Sequence, residues 1–181
     1  DDFWMHALGS AKAAQLLAFS TQQISVPEAC FTGGLVHDLG KIVLALGLRE
    51  EYEAVLKAAD AEQLPLSQIE QRMLQTDHSE VGSWLAQRWG LPEIIVEAVR
   101  HTDHPERHEG PYRKEVLIIS LASDMACLAD YGTGGEGSEV TLDESRLATL
   151  GISLDEANEL CENLALVRED GRALLGLLRK G

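Results

Sequence analysis

The segment GGLVHDLGK, residues 33–41, runs straight into Ile42, Val43 and Leu44. It sets an imidazole, a carboxylate and an ammonium group within five residues of an otherwise apolar run. Ionisable groups are costly to bury unless they are paired or hold a metal. A chain that folds around this segment must therefore bring partners for His37, Asp38 and Lys41 from elsewhere in its sequence.

The rest of the chain says what kind of scaffold does this. Trp4, Ala7, Leu8, Ala11, Ala14 and Ala18 recur at helical spacing in a segment that is apolar on most of its surface, which predicts a largely buried helix. A second helix is predicted from Pro27-Glu28, unbroken through HDLGK to about Leu46-Gly47, because proline and glutamate both suit a first turn. An outer amphipathic helix is expected at 49–61. A long helix follows from Pro65 and Ser67 to Gly90, and another starts at Pro92. The polar stretch HTDHPERHEGPY reads as a loop, and RKEVLIISLASDMACLADYG as a strongly apolar helix. GTGGEGSEVT is the one expected flexible loop. From about Asp143 a short helix and a longer one are expected to close the structure by packing within the chain rather than as a dimerisation element, although their leucine spacing suits either. No strand series and no repeat is present. The predicted fold class is all-α, a compact multi-helix bundle, and 181 residues with 45% hydrophobic content suffice for one substantial core. Trp84 and Trp89 are expected in core and edge packing.

Charge narrows the function. The formal net charge is −15, with 30 acidic against 15 basic residues. Such a surface repels phosphate backbones, so neither nucleic acid nor an anionic membrane is an expected partner. The reading finds no signal peptide and no membrane-length apolar run. Cys30, Cys127 and Cys161 show no CxxC pattern and read as small hydrophobes in a reducing compartment. A cytoplasmic location is expected. The large apolar residues Phe3, Trp4 and Met5, so near the first residue, point to a piece of a longer protein.

Six histidines are present. His104 and His108 fall in the polar loop, where a solvated side chain is the ordinary reading. His6, His37, His78 and His101 each fall on a separate predicted helix with an apolar neighbourhood. A fifth helix carries Asp124 in its middle, where it cannot cap an end and needs a cation or donors. Taken singly, a buried histidine is usually a core residue bonded to a carbonyl, and Asp124 has Lys41 and Arg100 as candidate partners. Taken together, one histidine or aspartate from each of several helices is how bundle-core metal sites are built. Imidazole with carboxylate suits Fe, Mn, Ni, Co or Zn rather than Ca.

These positions resemble the HD superfamily of metal-dependent phosphohydrolases: His6 in FWMHALGSA, His37 and Asp38 in GGLVHDLGK, Asp124 in LASDMACLA. Over about residues 2–130 the text is most similar to one branch, the HDOD (HD-related output) domain, above all in HSEVGSWLAQRWGLPEIIVEAVRH. The resemblance implies a helical module of bacterial signalling proteins, with residues 141–181 closing the domain and an N-terminal helical part missing from this chain. It implies a receiver or other signalling domain as partner, and a nucleotide or phosphate as candidate ligand. It makes His6, His37, Asp38 and Asp124 the ligands of one metal, and His78 and His101 those of a second, bridged by Asp38. It makes Asp38 and Lys41 the catalytic pair, with Lys41 stabilising phosphate charge. The paired histidines and the Gly-Tyr-Pro signature of the HD-GYP relatives are not reproduced: His101-Thr102 and Glu109–Tyr112 stand nearest, with His104 the only substitute at hand. Two functions stand: a regulatory output module acting by binding, as in many HDOD domains, and a working metal phosphohydrolase.

Overall fold

The computed structural model describes residues 2–21, 27–134 and 140–178. Residues 135–139 of the glycine-rich loop lie outside them, as do the last three residues of the expected closing segment. Among the described residues eleven α-helices follow one another: α1 (Asp2–Ser20), α2 (Pro27–Val36), α3 (Leu39–Gly47), α4 (Arg49–Glu62), α5 (Leu66–Leu74), α6 (His78–Arg88), α7 (Glu93–His101), α8 (Arg113–Leu128), α9 (Glu144–Leu150), α10 (Leu154–Leu166) and α11 (Arg168–Leu178). A short 3-10 turn (Pro105–Arg107) precedes α8. No strand occurs among the described residues. The predicted all-α bundle is the observed one.

Two apolar cores hold it together. The larger is built on α1 and α8, with Leu17, Ile118, Leu121 and Met125 at its centre and α2, α7, α9 and α10 around it. Burying a side chain of this size contributes about 1.5–3 kcal/mol. The smaller core joins α3, α4 and α5 through Leu44, Tyr52, Val55, Leu66 and Ile69. Cys30 lies wholly inside the larger core, where burial pushes its thiol up to about 12, with Glu115 adding to the shift. Trp84 and Trp89, expected to pack, are instead 57% and 59% exposed; the Arg88 guanidinium lies over the Trp84 ring. Trp4, placed on the buried stripe of the first helix, is also half-exposed.

The structure departs from the expected helices at two breaks. The predicted helix from Pro27 to Gly47 divides at His37-Asp38, leaving Asp38 (φ −95°, ψ 5°) before the first turn of α3. The predicted helix from Ser67 to Gly90 divides at Gln75–Asp77, where Gln75 turns left-handed (φ 61°). Asp77 caps α6 by accepting a hydrogen bond from the Glu80 amide at 2.8 Å. The Asp-x-x-Glu spacing was the signal for that break. The expectation of no membrane-length apolar run does not hold, and the first break bears on the segment that overturns it. Pro27–Gly47 is long and apolar enough to cross a membrane by length and composition, with a mean hydropathy of 1.4. In the structure it is two helices with His37, Asp38 and Lys41 buried between them.

Glycines set how closely the broken ends approach. A Cβ on Gly34 would lie 2.7 Å from the Ser10 carbonyl oxygen, so only glycine lets α2 press on α1 one turn beyond His6. A Cβ on Gly40 would lie 1.8 Å from the His78 carbonyl oxygen, so only glycine lets the start of α3 meet the start of α6. Two ends of GGLVHDLGK are thus pinned to two different helices.

Candidate metal centre around Asp38

The pinned ends bring four charged or polar side chains onto one carboxylate. Asp38 is 2% exposed. Its Oδ1 lies 3.4 Å from His37 Nε2 and 3.6 Å from His78 Nε2; its Oδ2 lies 2.9 Å from Lys41 Nζ and 3.9 Å from His6 Nε2. The three imidazoles are nearly inaccessible to solvent, and the rings of His6 and His37 are 5.4 Å apart.

The far side of each ring fixes its tautomer. His37 Nδ1 donates to the Gly34 carbonyl at 2.8 Å, and His6 Nδ1 to the Gly132 carbonyl at 3.1 Å. His78 Nδ1 donates to Glu70 Oε2 at 2.6 Å. Carbonyls and carboxylates only accept, so the proton sits on Nδ1 in each case and Nε2 faces Asp38. Metal-binding histidines are oriented in this way by an outer carbonyl or carboxylate. Among the described residues, His37 Nε2 is buried with no hydrogen-bond partner, and His6 Nε2 meets the Ser123 and Ser10 hydroxyls, at 3.1 and 3.5 Å. An imidazole nitrogen oriented toward a carboxylate and left without a donor suits a divalent transition metal, so the residues present fit one.

Burial pushes the His6 imidazole down to about 4; the Asp38 charge pulls the other way but does not win. His6 is therefore neutral near pH 7, with its Nε2 lone pair available. Burial likewise opposes ionisation of Asp38, yet His37, Lys41 and His78 together hold its carboxyl well below the usual carboxylate range. His78 differs from His6. Burial disfavours its charged form, but Asp103, 3.3 Å from its Nε2, and Glu70 raise it well above the ordinary value. It rests as an imidazolium and must release a proton before it can ligate a metal.

The sequence-predicted residues thus divide. His6, His37, Asp38, Lys41 and His78 meet. His101 lies instead against Glu97 and His108. Asp124 is only half-buried, and its Oδ2 lies 3.7 Å from Arg146, rather than Lys41 or Arg100. Lys41 is taken by Asp38 and by the Gly134 carbonyl at 2.8 Å, and Arg100 by Glu97. Thr102, Asp103, His104, Ser123, Asp124 and Arg146 line a cleft of about 380 Å³. Asp103 contacts His78 and Ser123 contacts His6, so this cleft abuts the Asp38 cluster.

Sequence reading missed Glu70, Asp103 and Arg146. Glu70 had a usable signal: it falls on the apolar stripe with Leu66 and Ile69 and is wholly buried, holding the His78 ring and accepting from the Tyr52 hydroxyl at 2.8 Å. Asp103 and Arg146 had none, since each reaches the cleft from a segment whose position only the tertiary fold sets.

Residues 1–105 match the HDOD domain, and the chain belongs to that family. Its structure is similar to that of a protein named "Putative signal transduction protein" from Marinobacter aquaeolei VT8, with a TM-score of 0.87 at 21% identity, over 99% of this chain and 39% of that one. A protein named "Putative phosphohydrolase" from Shewanella amazonensis SB2B superposes with a TM-score of 0.70 at 29% identity, over 94% and 61%. The MmoQ response regulator of Methylococcus capsulatus str. Bath superposes with a TM-score of 0.64 at 25% identity, over 88% and 60%. An uncharacterized protein of Treponema pallidum (strain Nichols) is 27% identical over 119 residues, and there the chain spans 23% of its relative's length.

Proposed function

We propose that this chain is a signal-transduction output module of the HDOD type, with a His/Asp centre that takes up one divalent transition ion of the Fe, Mn, Ni, Co or Zn group. One observation carries the metal assignment: the His6 and His37 imidazoles, anchored at Nδ1, present Nε2 to Asp38. His6, His37 and Asp38 would hold the ion, since their ligating atoms already lie within 4.8 Å of one another. A bound ion would polarise a phosphoryl oxygen and lower the pKa of a water. The regulatory reading is favoured over turnover because two cations already serve Asp38. Lys41 Nζ sits on Oδ2, and the His78 imidazolium faces Oδ1. Uptake of a metal competes with both, which makes the centre responsive to metal and to pH. The kinship with a response regulator supports a receiver or other signalling domain as partner.

A second reading, a metal-dependent phosphohydrolase acting on nucleotides, is supported by the cleft. It sets Arg146, an anion-binding side chain, beside Ser123 and Asp103, which touch the two imidazoles. In that reading Lys41 would stabilise phosphate charge next to Asp38.

Elemental analysis of protein prepared without chelator, beside His37→Ala and Asp38→Asn, tests both readings. The expected result is about one equivalent of transition metal in the parent and loss in both folded variants. The expected screen against phosphomonoesters and phosphodiesters is negative. Metal-free parent after loading overturns the centre, and turnover abolished by Asp38→Asn overturns the regulatory role in favour of the hydrolase.

A further inference from the structure

We propose that Glu97, His101 and His108 form a second metal site, separate from the Asp38 centre, that takes a zinc-type ion and clamps the 102–112 loop onto α7. Glu97 and His101 are four residues apart on α7 and so share a face. Arg100 Nη1 bonds Glu97 Oε1 at 2.6 Å and leaves Oε2 to the two imidazoles. The loop returns His108 to the same point. Oε2 then lies 3.5 Å from His101 Nε2 and 3.4 Å from His108 Nδ1, with all three ligating atoms within 4.8 Å of one another. A tetrahedral ion about 2.0–2.1 Å from each ligand spaces its ligands roughly 3.3–3.4 Å apart, so the two measured separations are those of a ready site.

His108 supplies the independent observation. It belongs to a polar loop, yet it is only 4% exposed. Burying it required a glycine: a Cβ on Gly110 would lie 2.6 Å from its ring. Protein groups then serve the buried ring poorly. Among the described residues Nε2 has no hydrogen-bond partner, and Nδ1 meets Glu97 at a distance too long for a charge-assisted hydrogen bond. A metal on Nδ1 gives the ring the strong partner the packing omits. Glu97 and His101 are each about one-fifth exposed, so an ion has a path in and a fourth position stays open to water.

The clamp acts on the cleft. Thr102, Asp103 and His104, between two of the ligands, line its wall, and Asp103 faces His78. An ion here would order that wall without touching Asp38.

Zinc(II) titration with elemental analysis, together with amide hydrogen exchange, tests this on the whole chain. Compared with the parent, Glu97→Gln, at a position about one-fifth exposed, and the His108→Ala variant are expected to bind one equivalent fewer, or to bind it at least about tenfold more weakly. Added zinc should slow exchange over 102–112 in the parent but not in these variants. His104→Ala, also in the loop but outside the cluster, should behave as the parent does. If His108→Ala fails to fold, the isosteric Glu97→Gln alone decides. Zinc stoichiometry and 102–112 exchange in Glu97→Gln identical to the parent overturn the proposal, as does loss of the same equivalent in His104→Ala.

Discussion

The Asp38 cluster and the Glu97–His101–His108 cluster are both histidines around a carboxylate, but they are assembled by opposite means. The first gathers side chains from α1, from the α2–α3 break, from α6 and from the loop after α7, and it depends on backbone contacts that only Gly34 and Gly40 permit. The second comes from one turn of α7 and the loop just beyond it. A cluster brought together over long separations is locked to the whole fold. One built from near neighbours is locked to a loop. Losing the first should therefore cost global stability, and losing the second only local order.

The largest test of that contrast is Gly40→Ala. Its methyl would meet the His78 backbone, which cannot yield without parting α3 from α6. We expect a loss of about 5 kcal/mol or failure to fold, read by urea denaturation. Gly110→Ala meets only the tip of an imidazole and should lose about 1 kcal/mol. Equal losses would break the comparison.

Charge gives the next effect. Asp38→Asn removes the carboxylate 2.9 Å from the buried Lys41 ammonium, and should cost about 3–5 kcal/mol in chelator-treated protein. Glu97→Gln, at a partly exposed position, should stay within about 1 kcal/mol under the same conditions.

Acid comes third. His6 has a folded pKa of about 4 against an ordinary 6.5. A depressed pKa contributes stability that is present above the ordinary value and is lost as pH falls toward the folded one. Metal-free protein should lose about 3 kcal/mol between pH 6.5 and 4 on this account, and His6→Gln should flatten that part of the profile. His78 has the opposite sign: its raised pKa contributes fully below pH 6.5, and the contribution fades as pH rises through its folded value. Urea midpoints across pH for the parent and His6→Gln separate the two, and an unchanged acid limb in His6→Gln would count against the buried neutral imidazole.

How far the sequence carried is clear from single residues. His37 and Asp38 announced themselves because charge inside an apolar run has no cheap alternative to partnership. Asp124 sent the same signal for a different reason. It sits in an apolar helix, but on the side that α9 covers with Arg146 rather than with a hydrocarbon side chain. The pattern around a residue reports the character of its helix, not of the neighbour that will face it. His108 was hidden for the converse reason, since a polar loop predicts solvent and only the close approach of Gly110 shuts it out. The two missed breaks share one cause. Continuous helical periodicity was read across His37-Asp38 and across Gln75–Asp77, while the Asp77 cap and the glycine contacts act on two or three residues only.

The glycine contacts give GGLVHDLGK a double ancestry. His37, Asp38 and Lys41 answer to charge, whereas Gly34 and Gly40 answer to the carbonyls of Ser10 and His78 whatever charge lies between them. The two sets answer to separate physical constraints. A lineage that gave up metal could replace the histidine and the aspartate together and still be bound to keep both glycines. A lineage that lost Gly40 would forfeit the helix contact, and with it any site there to inherit.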